Sequence, residues 1–155
     1  MKQNSTVKEQ SLNPQPVAHA KSPPATAENL DERVLMAIRA AAEKKAIEPV
    51  VLDLREIASF TDYFVIVSGA NERQVQAISD EIYESLKKAG HAAARVEGYK
   101  TAEWILLDYG DFVVHVFEQK ARKFYDLERL WRESKRVELP VEFTTGSGSS
   151  LRRES

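Results

Sequence analysis

The sequence contains no cysteine. Disulfides, thiolate metal sites and a cysteine nucleophile are therefore excluded, and a reducing compartment fits. Histidine is scarce. His19, His91 and His115 lie far apart, and none sits in HExxH or a similar spacing, so neither a metal centre nor a cofactor is expected. Long apolar runs are missing. Phe64-Val65-Ile66-Val67 is typical of the longest stretches, far short of the ~20 residues that span a bilayer, and no membrane partner is expected. The first 29 residues have neither the apolar core of a secretory signal nor the arginine richness of a transit peptide. An excess of positive charge is absent too. Lys and Arg number 22 against 24 Asp and Glu, for a formal net charge of −2. A protein that grips bare DNA or RNA through phosphates is usually basic, so generic nucleic-acid binding is disfavoured and no DNA partner is expected. Net charge does not fix its distribution, and a local basic patch remains open.

What is present reads as one domain with extended ends. A chain of 155 residues, 43% hydrophobic and 30% charged, has the balance of an ordinary globular protein. Residues 1–28 are rich in Ser, Pro, Ala, Gln and Asn, with Pro14, Pro16, Pro23 and Pro24 opposing helix, and are read as a disordered leader. Residues 139–155, with Gly146-Ser147-Gly148-Ser149-Ser150, are read as a flexible tail. The folded unit is expected over 29–138.

Within that unit the elements run α-β-β-α-β-β-β-α. Asn29 with Glu32 resembles a capping box, and Leu30, Val34, Leu35, Ile38, Ala41 and Ala42 then form a helical stripe. Pro49 stops that helix, and Val50 to Leu54 reads as a strand. Asp62 to Gly69 is apolar and β-branched, as a strand buried on both faces would be. Asn71 and Gln74 open a second helix lined by Val75, Ile78, Ile82 and Leu86, and Gly90 closes it. Ala92 to Val96 is a further strand. Trp104–Tyr109 and Phe112–Glu118 form a hairpin around Gly110-Asp111, with Gly first as a two-residue turn favours. The last helix is expected over Ala121–Lys135, with Phe124, Leu127, Leu130 and Trp131 as its apolar side. The fold class is α/β (α+β), a single domain with a mixed sheet of about five strands flanked by helices.

The hairpin is the informative element. A two-residue turn sets Tyr109 opposite Phe112 and fixes every pair beyond. One face then carries Ile105, Leu107, Tyr109, Phe112, Val114 and Val116, and meets the core. The other carries Trp104, Leu106, Asp108, Val113, His115 and Phe117. Two readings of this second face stand. Either a helix covers it and His115 bonds to Asp108 or a backbone carbonyl, or it is an exposed docking patch with an acid and an imidazole as specificity groups.

No catalytic constellation is visible. Ser68-Gly69 precedes a helix, where an anion can bind, but GxxxxGK[ST], GxGxxG and GxSxG are all absent. Asp108 and Asp111 bracket a turn, where acids ordinarily bond to the backbone. The rival reading is a nucleotide-binding or nucleotidyltransferase-type enzyme using Ser68, Gly69, Asp108 and Asp111, and a third is a direct RNA-binding module, which a steep salt slope of RNA binding would reveal.

Asp62-Tyr63-Phe64-Val65-Ile66-Val67-Ser68-Gly69, then Glu97-Gly98, then the block W-x-L-x-D-x-G-D-x-x-V-H-x-F from Trp104 to Phe117 resemble the Iojap family, the ribosomal silencing factors (RsfS). Arg122, Tyr125, Leu127, Glu128, Leu130 and Trp131 continue the resemblance, which covers about residues 30–131. It implies a nucleotidyltransferase-like fold without the catalytic carboxylates, and no enzyme activity. It further implies binding to the large ribosomal subunit through ribosomal protein L-fourteen (the large-subunit protein of that number). The bound factor blocks association with the small subunit and represses translation, and organelle relatives act in large-subunit biogenesis. A bacterial, cytoplasmic protein is implied. Independently of the resemblance, an apolar patch awaiting a partner can pair with its own copy, so a homodimer is an option when free. The family pattern selects the second face of the hairpin and so favours docking there. Trp104, Leu106, Asp108, Asp111, Val113, His115 and Phe117 are the expected partner-binding residues, with Trp104 and Phe117 as apolar anchors.

Overall fold

A computed structural model describes residues 23–144. The expected leader and Gly/Ser tail therefore fall largely outside the described residues. The domain is a six-stranded mixed sheet with helices on both faces. In chain order the elements are α1 (Glu32–Glu43), β1 (Ile47–Asp53), β2 (Tyr63–Gly69), α2 (Glu72–Lys88), β3 (Arg95–Glu97), β4 (Trp104–Asp108), β5 (Phe112–Glu118), α3 (Gln119–Tyr125), α4 (Leu127–Leu130), β6 (Lys135–Arg136) and α5 (Val141–Thr144). The strands lie in the order β3-β4-β5-β2-β1-β6. Only β2 and β5 are parallel; the other neighbours are antiparallel.

The first helix starts later than its sequence suggests. Asp31, not Asn29, is the cap, and its carboxylate accepts from the Arg33 N–H at 2.9 Å. The Asn29 side chain instead accepts from the Thr26 N–H at 2.7 Å and closes the preceding turn. The second helix starts as expected. Asn71 Oδ1 accepts from the Gln74 N–H at 2.9 Å. The Gln74 side chain reaches back to the Ala70 N–H at 2.7 Å, and its amide donates to the carbonyls of Lys44 and Lys45. One residue thus caps α2 and ties it to the end of α1.

Strand β1 begins three residues before the expected Val50. Ile47 opposes Ser68 while Val50 opposes Ile66, so one extra residue is inserted at Glu48-Pro49. Proline lacks an N–H and fits a strand at such a bulge. The β4–β5 hairpin has the expected register: Trp104 faces Phe117, Leu106 faces His115 and Asp108 faces Val113. Gly110 sits at φ 84°, which a residue with a Cβ adopts at a cost.

The principal core fills the first face. Val65, Val67, Ile105, Leu107, Phe112, Val114 and Val116 pack under Val34, Ile38, Val75, Ile78, Ile82 and Leu86 of α1 and α2. Packing continues past Glu138, because Leu139 is buried and Phe143 of α5 leans on the same core.

The C-terminal segment departs from expectation. It is not one helix over Ala121–Lys135 but two short ones, broken at Asp126, which is left-handed at φ 51°, ψ 52°. An ion pair across the break explains what is gained. Arg122 Nε and Nη2 donate to the two carboxylate oxygens of Glu128, each at 3.2 Å. On a straight helix, residues six apart are turned about 120° from each other and stand about 9 Å apart along the axis, outside the three- and four-residue spacings at which side chains meet. The break also lowers Leu127 and Trp131 onto the second face of the sheet, where they join Leu52, Leu54, Phe64, Ile66, Val113 and Phe117 in a second, smaller core.

Candidate functional site

The second face is divided. Its half over β1, β2 and β5 is covered by α3, α4 and the loop before β2. Its half over β4 and β3 is open. This corrects the expectation that the whole face is bare. Phe117 is 0% exposed, His115 4% and Val113 8%, all beneath the chain's own C-terminal segment. The cause is the break at Asp126, since a straight helix could not bring both Arg122 and Leu127 down onto the sheet.

The other expected residues are accessible. Trp104, Leu106 and Asp108 are half-buried and Asp111 is exposed. The Trp104 ring lies between Phe117 (4.9 Å between centroids) and Tyr125 of α3 (4.8 Å). Its indole N–H points inward and donates to His115 Nδ1 at 3.1 Å. What Trp104 can offer a partner is therefore apolar ring surface, not a donor. Beside it, Leu106, Glu97 and Gly98 complete a hollow of about 230 Å³. Gly98 permits this close approach: at φ 81°, a Cβ there would stand 2.1 Å from the Trp104 carbonyl oxygen.

The acids bracket the hairpin turn in different ways. Asp108 accepts from the Gly110 N–H at 2.9 Å and pairs loosely with Arg95 at 3.4 Å. Asp111 pairs with Arg33 of α1 at 2.9 Å, and its backbone carbonyl accepts from the Asp62 N–H. Arg33 also pairs with Asp31 at 2.7 Å, and these contacts hold the Asp31 carboxyl below the usual carboxylate range.

His115 bonds neither to Asp108 nor to a backbone carbonyl. Its Nδ1 accepts from Trp104, which puts the proton of the neutral ring on Nε2. Nε2 is buried without a hydrogen-bond partner, and the ring stands edge-on to Phe64 at 4.4 Å. Burial pushes the imidazole down from its ordinary 6.5 to about 4.

The four residues of the rival enzyme reading are not assembled. Ser68 is buried; its hydroxyl donates to the Ile47 carbonyl at 3.2 Å and accepts from Arg122 Nη1 at 3.0 Å. Ser68 lies opposite Phe117 while Asp108 lies opposite Val113, four residues away along β5. That separation is about 13 Å at the rise of a strand. Among the described residues, no group of three or more His, Asp or Glu is placed to hold a metal ion.

The structure also exposes two residues that the sequence placed on the apolar side of the last helix: Phe124 is 79% exposed and Leu130 68%, and Tyr125 beside them is 45% exposed. The spacing of Phe124, Leu127 and Leu130 suits one buried helical stripe, and only the break at Asp126 turns the outer two to solvent. No signal in the sequence marks that break, because Asp126 is not a glycine.

Comparison with known proteins decides the family. A family model described as "Ribosomal silencing factor during starvation" matches residues 27–154. This chain belongs to the RsfS family of ribosomal silencing factors. A family member from Halalkalibacterium halodurans, ribosomal silencing factor RsfS, is 42% identical over 108 residues, covering 70% of this chain and 92% of that protein. A mouse relative named mitochondrial assembly of ribosomal large subunit protein 1 is 35% identical over 75 residues, 46% of this chain and 33% of that one. A crystal structure of a Bacillus halodurans protein superposes with a TM-score of 0.63 at 42% identity, covering 70% of this chain and 98% of that one. The fold is thus shared with that structure. No helix among the described residues is long and apolar enough to cross a membrane.

Proposed function

We propose that this protein silences ribosomes by docking on the large subunit, at ribosomal protein L-fourteen, through the open half of its sheet. The mechanism needs no bond to be made or broken. A bound factor occupies space that the small subunit requires, and affinity for the free large subunit then withdraws it from joining by mass action. The observation that carries this reading is Trp104, an indole wedged between Phe117 and Tyr125 and still partly accessible to solvent. Large aromatic anchors of this kind dominate interface energies. Leu106 extends the apolar centre, and Asp108, held only loosely by Arg95, supplies an acid at its edge for a basic ribosomal protein, with Asp111 a more distant rim contact that must share its carboxylate with Arg33. His115 and Phe117 act from beneath, as the floor on which Trp104 rests, and Val113 underlies the far end of the face opposite Asp108. In the absence of ribosomes the same open face is where two copies would pair, so self-association and docking would compete. The protein would work in the cytoplasm, where its partner is.

Sedimentation with separated ribosomal subunits tests this. The protein should pellet with large subunits and not with small ones. Leu106→Glu should abolish the association while the melting temperature stays within a few degrees, because Leu106 is only half-buried. Undiminished pelleting of that variant would mean that the open half of the sheet is not the contact.

A further inference from the structure

Segment 119–136 carries seven Lys and Arg against three Asp and Glu, a local charge of +4 in a chain whose formal net charge is −2. Some of that charge is spent inside the protein. Arg122 and Arg136 pair with Glu128, and Lys135 pairs with Glu56. Lys123, Arg129 and Arg132 are exposed and have no ion pair among the described residues. These three cations line one shallow groove of about 450 Å³ together with Phe124, Tyr125, Leu130 and one acid, Asp126. Phe124 and Leu130 stand out from it, 79% and 68% exposed.

A solvated helix face explains the cations but not a bare phenyl ring among them. An acidic peptide would suit the charge but leave the ring face unused. A polyanion that also carries planar rings suits both, by phosphate contact and by stacking. The groove also adjoins the open sheet face, because the Phe124 and Tyr125 rings touch at 5.0 Å and Tyr125 in turn packs on Trp104. A large ribosomal subunit offers RNA next to protein.

We infer that the α3–α4 groove is a contact for single-stranded RNA, with Phe124 as a base-stacking platform and Lys123, Arg129 and Arg132 on the phosphates. The inference rests on the large-subunit docking proposed above and adds a second, chemically different surface to it.

Fluorescence anisotropy of the full chain with a labelled 12-nucleotide oligouridine tests the groove by itself. Three phosphate contacts at about 0.7 released counterions each give a log–log salt slope near −2, so affinity should fall about twentyfold between 50 and 200 mM salt. Phe124→Ala should weaken binding about fivefold or more, with an unchanged melting temperature because the side chain is exposed. Arg129→Glu with Arg132→Glu should abolish it. Leu106→Glu should keep oligouridine binding while losing large-subunit pelleting, which separates this surface from the docking face. Absent saturable binding, or Phe124→Ala binding as well as the parent, overturns the inference. So does polyglutamate competing as well as RNA, since charge alone would then suffice. If the parent protein fails to pellet with large subunits, it is the docking reading that falls.

Discussion

At the scale of single residues, His115 and Trp104 show how a buried group prepares an exposed one. The imidazole accepts the indole N–H and fixes which edge of Trp104 faces outward. It does so only while neutral, and no charged side chain is among the rings that pack on it: Phe64, Trp104 and Phe117. Burial alone lowers its pKa to about 4. In the unfolded chain the same group takes up a proton near pH 6.5. The unfolded state therefore binds more protons between those values. The stability contributed by the neutral ring is complete above pH 6.5 and is lost as pH falls toward 4. The loss is on the order of 3 kcal/mol. Urea unfolding at pH 7, 5.5 and 4.5 measures it. His115→Gln keeps an acceptor for the indole but cannot titrate. Its stability deficit relative to the parent should shrink by about that amount across the range. A deficit independent of pH would show that His115 is not held neutral.

At the scale of elements, the break between α3 and α4 decides what the second face becomes. Three features cooperate: the left-handed Asp126, the Arg122–Glu128 pair that bridges it, and Arg122 Nη1, which reaches the Ile47 carbonyl and Ser68 at 3.2 and 3.0 Å. Arg122 is almost fully buried, so Arg122→Met leaves Glu128 and two sheet oxygens short of a donor. A loss of about 3 kcal/mol is expected, read as a lower denaturant midpoint. Near-UV dichroism should change as well, because Trp131 loses its seat against Phe64. Gly98 sets the other border of the open face. Gly98→Ala meets both an unfavourable φ and the Trp104 carbonyl. It should displace the start of β4 and weaken large-subunit binding more than the exposed location of Gly98 alone would suggest. The elements that were legible beforehand are those whose rule is local. Asn71 and Gln74 announced α2, and Gly110 with the alternation of β4 and β5 announced the hairpin register. The break was illegible because its cause is a pairing between Arg122 and the sheet, about fifty residues away in sequence from Ser68. The bulge at Glu48-Pro49 hid the start of β1 for a similar reason: it is defined by what lies opposite on β2.

At the scale of the whole molecule, the protein has one buried face and one divided face, and in the proposed function the division separates the docking surface from the residues that support it. The alternation of the hairpin identified Trp104, Leu106 and Asp108 as a set, which the structure keeps accessible. It could not tell that Val113, His115 and Phe117, on the same face, would be roofed over, because the roof comes from another part of the chain. Function by occupancy also differs from function by catalysis in a way that can be measured. A blocking factor acts only while bound, one copy to one large subunit, and leaves the ribosome unchanged. Light scattering during subunit joining should therefore fall in proportion to added protein and level off at equimolar large subunits. Excess small subunits should reverse the effect by competing for overlapping space. Diluting the mixture below the dissociation constant should restore joining in full. Inhibition that persists after the protein is removed, or that one copy inflicts on many subunits, would require a chemical modification of the ribosome. The separation of Ser68 from Asp108 gives no support to such chemistry among those residues.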